Sequence, residues 1–70
     1  MEQRKDLDSI LWDTGVSEAA FELIKEGSRK RDLTRYKTAY VKKALEYQYT
    51  YREIGQNIRL SDVAVYKLIS

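Results

Sequence analysis

Ser61, Asp62, Val63, Tyr66 and Lys67 are the residues whose types and spacing offer chemistry. If the chain from Ser61 onward is helical, Asp62, Val63, Tyr66, Lys67 and Ser70 fall on one stripe, opposite Ala64, Val65 and Leu68. That stripe carries the means of recognition. The Ser61 hydroxyl, at the helix start, can donate to a phosphate oxygen, with neighbouring amides and the helix dipole assisting. Val63 can touch a thymine methyl, and Lys67 can reach a guanine edge or a phosphate. Tyr66 has little packing reason to face outward, although capping the core or joining an oligomer contact is the competing explanation. Asp62 works against a phosphate surface unless it accepts from a cytosine amino group or pairs with a base such as Arg59.

Catalytic chemistry finds no comparable set. The chain has neither cysteine nor histidine, so thiolate and imidazole nucleophiles, bases and metal ligands are all missing. Its three glycines stand apart at 15, 27 and 55, which excludes a glycine-rich phosphate loop. An enzyme is not expected, nor a metal or any other cofactor.

The stripe needs a second helix to hold it. Ile54 and Ile58 share a face four residues apart, Val65 and Leu68 share one three apart, and Leu60 falls between the two pairs as a plug. Gly55 lies mid-helix, where glycine costs about 1 kcal/mol relative to alanine, and that penalty suggests a close helix crossing. Thr50 with Glu53 forms a capping-box pattern, and Ser61 can cap the helix that follows.

Ile54, Gly55, Ile58, Leu60, Ser61, Ala64, Val65, Tyr66 and Leu68 together resemble the helix-turn-helix of bacterial and phage repressors, recombinases and region 4 of sigma factors. The resemblance covers under a third of the chain. It implies that the second helix, 62–69, enters the major groove of double-stranded DNA, with Tyr66 on the sugar-phosphate backbone. One position departs from the pattern. Arg59 stands where glycine is frequent, so it must take a left-handed conformation or shift the turn.

Upstream, Tyr36, Tyr40, Val41, Ala44 and Leu45 make a continuous face on a third helix, capped by Asp32 or Thr34, with Lys37, Lys42 and Lys43 mostly elsewhere. This helix is expected to pack behind the motif. Tyr47 to Tyr51 alternates like a strand but has no partner strand, and is expected to be a connector whose rings cover the seam. Three helices over about 33–69, preceded by basic Arg29, Lys30 and Arg31, are similar in architecture to homeodomains and to the DNA-binding domains of invertases and resolvases. The likeness implies a flexible arm in the minor groove, although a short basic run is also an ordinary solvated linker. Arg52 and Arg35, with Lys37, Lys42 and Lys43, are placed to grip the backbone at the flanks.

The N-terminal part differs in character. Leu7, Ile10 and Leu11 mark a helix over about 3–14 with Gly15 as its stop. Ser17 caps a second helix in which Ala20, Phe21 and Ile24 share a face, ended by Gly27. Residues 1–27 carry Glu2, Asp6, Asp8, Asp13, Glu18, Glu22 and Glu26 against Arg4, Lys5 and Lys25, a net of −4. Residues 28–70 carry ten bases against Asp32, Glu46, Glu53 and Asp62, a net of +6. The asymmetry points the C-terminal part at phosphate, while mutual attraction of the halves is the plainer account.

The expected fold is all-α: about five helices in one compact domain, made of an acidic helical pair (1–27) and a basic trihelical unit (28–70). Seventy residues suffice for one small core. No apolar run is long enough for a membrane span and the first residues do not form a secretory signal, so a cytoplasmic location is expected. Two functions of different class fit. One is a sequence-specific DNA-binding regulator, repressor-like, or an accessory factor, acting as a homodimer through Trp12, Phe21, Leu23 and Ile24, with residues 1–27 also able to meet a protein partner. The other is a protein-interaction module on the same scaffold, such as an antirepressor or enzyme inhibitor.

Overall fold

Ser17, Thr50 and Ser61 each turn a hydroxyl back to accept from the amide three residues on, at 3.1 Å in all three cases. Those bonds satisfy donors that a helix start leaves open, and they set where three of the helices begin. The computed structural model describes residues 5–70 and contains five α-helices: α1 (Leu7–Trp12), α2 (Glu18–Lys25), α3 (Thr34–Glu46), α4 (Tyr51–Asn57) and α5 (Asp62–Ile69). A short 3-10 turn, Arg31–Leu33, leads into α3. There is no strand among the described residues.

Two helix starts differ from expectation. The first helix begins at Leu7, not near residue 3, because the Asp6 carboxylate accepts from the Ser9 amide at 3.2 Å and caps it there. Residue 3 of the expected helix lies outside the described residues. Neither Asp32 nor Thr34 caps the third helix. Its N-cap is Leu33, without a side-chain bond, because the 3-10 turn runs directly into α3 and carries the backbone into helical geometry.

The core draws on both halves of the chain. Ile10 and Leu11 of α1, Val16, and Ile24 of α2 are buried in one cluster with Leu33, Tyr40, Val41, Ala44, Ile54, Ile58 and Val65. Ile24 is wholly inside, which removes it from any assembly surface. Tyr47, Tyr49 and Tyr51 of the connector pack half-buried on this cluster. The Tyr49 hydroxyl is anchored too, donating to the Lys5 carbonyl at 2.8 Å.

A polar chain crosses the same bundle. Lys25 Nζ of α2 donates to Asp8 Oδ1 of α1 and to Asn57 Oδ1 of α4, both at 2.7 Å. Asn57 Nδ2 donates to the Tyr40 hydroxyl of α3 at 3.0 Å, and that hydroxyl donates to the Ile54 carbonyl at 3.3 Å. A buried phenol is costly unless paired, and this chain links Tyr40 through Asn57 to the half-buried Lys25 and Asp8, across four helices. The ion pairs Lys5–Asp13 and Lys25–Asp8 both lie within the acidic half, so these two bases are spent on local acids.

Candidate nucleic-acid interface

The α4–α5 turn is built on a left-handed residue. Arg59 has φ +57°, and the Leu60 amide donates to the Gly55 carbonyl at 2.9 Å, which closes the turn after α4. The absent glycine therefore changes nothing in the turn's form, and arginine carries the conformational cost. Gln48 ends α3 in the same way, with φ +69° and the Tyr49 amide donating to Ala44 O at 3.2 Å. Gly55 is needed by its surroundings, because a Cβ there would stand 2.4 Å from Leu60 O and 3.1 Å from Val65 Cγ2.

This turn fixes which side of α5 faces in. Val65 is fully buried, and Ala64 and Leu68 are half-buried. Thr38 Oγ1 of α3 donates to Leu68 O at 3.3 Å and secures the far end. Asp62, Val63, Tyr66, Lys67 and Ser70 are exposed, as their stripe predicts. Val63 is 59% and Tyr66 54% exposed, so two large apolar surfaces stand in water beside the Lys67 ammonium. The ring of Tyr66 meets the edge of Tyr51 at 5.8 Å and 88°, which sets its direction without covering it.

The start of α5 is less open than the sequence suggests. The Ala64 amide is taken by Ser61 Oγ and the Val63 amide by Asp62 Oδ1 at 2.9 Å, so these amides do not assist an anion. Ser61 keeps its own O–H to donate. Asp62, the first residue of α5, turns one carboxylate oxygen back to the Val63 amide beside the Ser61 cap.

All eleven candidates for contact with DNA are exposed: Arg29, Lys30, Arg31, Arg35, Arg52, Arg59, Ser61, Asp62, Val63, Tyr66 and Lys67. They do not form one group. Arg52, Ser61 and Asp62 border a cleft on one flank of the turn, and Arg29, Ser61, Val63 and Lys67 border another. Arg31 and Arg35 instead line a third cleft with Gly15, Ser17 and Ala20, beside α2. Arg35 is occupied there, lying 4.8 Å from the centre of the Tyr36 ring and donating to its hydroxyl at 2.9 Å.

Ser28, which precedes the basic stretch, is held from two sides. The Ser28 amide donates to Leu23 O at 2.9 Å, and Lys37 Nζ donates to Ser28 O. Gly27, at φ +87°, lies so near the turn that a Cβ on it would be 3.3 Å from Arg59 Cβ. Lys37 itself is a residue the helix pattern misassigned to the outer side. It is only 5% exposed, and burial first, then the nearby Arg29 charge, holds its ammonium below the usual lysine range. Its position was readable, since Leu33, Lys37, Tyr40, Val41 and Ala44 fall on a single stripe.

Among the described residues, no group of three or more acidic side chains is placed to hold a metal ion, and no helix is long and apolar enough to cross a membrane. Comparison with protein-family models, curated proteins and solved structures gives no match for the chain.

Proposed function

We propose that this chain is a sequence-specific double-stranded DNA-binding protein, a small repressor-like regulator or an accessory factor, with the outer stripe of α5 in the major groove. One observation carries the reading: Val63 and Tyr66 stand exposed on the same stripe as Lys67, while the opposite stripe of α5 is locked into the core. Exposed apolar side chains beside a cation suit a groove that presents methyl groups and phosphates together. Arg52 on one side and Arg29 on the other add charge near that stripe. A single unit of this size reads a half-site weakly, so a homodimer on a palindrome is part of the proposal. Trp12 supplies the apolar surface for it, being 44% exposed and stacked on Phe21 at 4.2 Å and 9°.

The test is fluorescence anisotropy with pooled random duplex DNA at two salt concentrations, followed by selection of bound sequences. Binding that weakens steeply with salt and a selected palindrome support the reading. Absence of duplex binding at low salt overturns it. The second reading, a protein-interaction module, rests on Asp62, a carboxylate within the same exposed stripe. It gains if the chain ignores DNA yet Val63 or Tyr66 substitutions abolish capture of a specific protein.

A further inference from the structure

We infer that the cleft between α3, α5 and the connector after Gly27 is a seat for one phosphate group, with Lys37 as its inner cation and Arg29 and Lys67 as its outer pair. The inference rests on the DNA-binding reading for the source of that phosphate, but not for the seat.

The cleft has a volume of about 420 Å³, and its walls include Arg29, Lys37 and Lys67 with the hydroxyls of Thr34 and Ser61. No carboxylate lines it. Three like charges around one cleft repel each other, and a buried ammonium is costly unless an opposite charge joins it. Lys37 directs a donor to the Ser28 carbonyl, a neutral acceptor, which fixes the ammonium in place without neutralising it. That bond also holds the connector so that Arg29 reaches the wall shared with Lys67. An oxyanion between these groups removes the repulsion and takes charge-assisted bonds from each. The seat lies directly beside Ser61 and Val63 on α5. A strand phosphate held there would set the register in which that helix meets base edges.

The salt dependence of duplex binding distinguishes one phosphate from several, because its slope counts phosphates neutralised and not cations supplied, at roughly 0.9 per phosphate. The test compares wild type with Arg29→Ala, Lys37→Met and Lys67→Ala, singly and together. Inorganic phosphate is titrated in parallel while the amide signals of Ser61 and Val63 are followed. The expected result is a slope that falls by roughly 0.9 in the triple variant and by no more than that in any single one, and phosphate-induced signal shifts that Lys37→Met removes. Should Lys37→Met fail to fold, the Arg29→Ala/Lys67→Ala pair carries the same test, with a fall of no more than roughly 0.9 expected. A fall of roughly 2.7 in the triple variant, or roughly 1.8 in the pair, overturns the single seat and leaves the DNA-binding reading standing. Saturable phosphate binding without duplex binding sinks the DNA reading and keeps the seat, with a free phosphate-bearing molecule as its ligand. Neither duplex nor phosphate binding overturns both.

Discussion

Gly55 and Leu60 meet twice: the Leu60 amide donates to the Gly55 carbonyl at 2.9 Å, and the Leu60 carbonyl fills the space where a Gly55 side chain would begin. The turn can close this tightly only because Gly55 has no Cβ. Gly55→Ala is therefore expected to destabilise the fold despite alanine's better helix propensity. Overpacking costs about 1–3 kcal/mol, and propensity returns about 1 kcal/mol at most. A net loss of up to about 2 kcal/mol lowers the melting temperature by about 4–8 °C for each kcal/mol lost in a domain of this size. An unchanged or raised melting temperature would show that the turn relaxes freely.

Arg59→Gly separates stability from charge. Glycine adopts φ +57° without the steric cost borne by arginine, so the fold should gain about 0.5–1 kcal/mol. Duplex binding should weaken at the same time if this guanidinium meets a phosphate, with a salt slope smaller by roughly 0.9. Denaturant titration and anisotropy on the same preparation check both halves. Equal affinity at both salts would place Arg59 away from DNA.

Tyr40 gives a pH signature. Burial pushes its phenol up to about 12, against the downward pull of the Asn57 hydrogen bond. The folded value lies above the unfolded one, so the phenol's contribution is complete below pH 10 and is lost as pH rises from 10 towards 12. The loss across that window is up to roughly 2.5 kcal/mol. Tyr40→Phe should lower stability by about 1–2 kcal/mol at neutral pH, since Asn57 loses its acceptor, and should flatten this alkaline limb. Parallel limbs for the two proteins in denaturant melts from pH 8 to 11.5 would refute the assignment.

Tyr66→Ala and Lys67→Ala should each weaken duplex binding about tenfold, equivalent to about 1.4 kcal/mol, with helicity by circular dichroism unchanged. Tyr66→Phe keeps the edge contact with Tyr51 and removes only the hydroxyl. Intermediate affinity for Tyr66→Phe is the expected ordering. Wild-type affinity in both alanine variants would move the interface off α5.

Trp12→Ala removes one half of the stacked pair with Phe21 and should shift the sedimentation mass from dimer to monomer, while monomer binding to a half-site persists. A wild-type protein that is monomeric at all concentrations would remove assembly from the role of residues 1–27.

The sequence disclosed most where one residue decides a local geometry. The caps at Ser17, Thr50 and Ser61, the crowding at Gly55 and the outward stripe of α5 all follow from short-range rules, and at Arg59 those rules left two turn forms, of which the structure has the left-handed one. It disclosed least where distant residues combine. Lys25 and Asp8 lie 17 positions apart and Lys25 and Asn57 lie 32 apart, and no periodicity joins such polar partners. Lys37 sat on an apolar stripe, but its charge argued for the surface until a backbone carbonyl accounted for its burial. The split of Arg31 and Arg35 from Arg29 depends on the path of the connector, which the Gly27–Arg59 approach and the Lys37–Ser28 bond decide together.

Because Ile10, Leu11 and Ile24 share a core with Ile54, Ile58 and Val65, the two ends of this molecule cannot evolve as separate modules. A substitution at an inward residue of α1 or α2 therefore disturbs the same core that holds α5 in place. Substitutions on the outer surface of α1 and α2, at exposed positions such as Trp12, Glu18 and Glu22, leave that shared core intact.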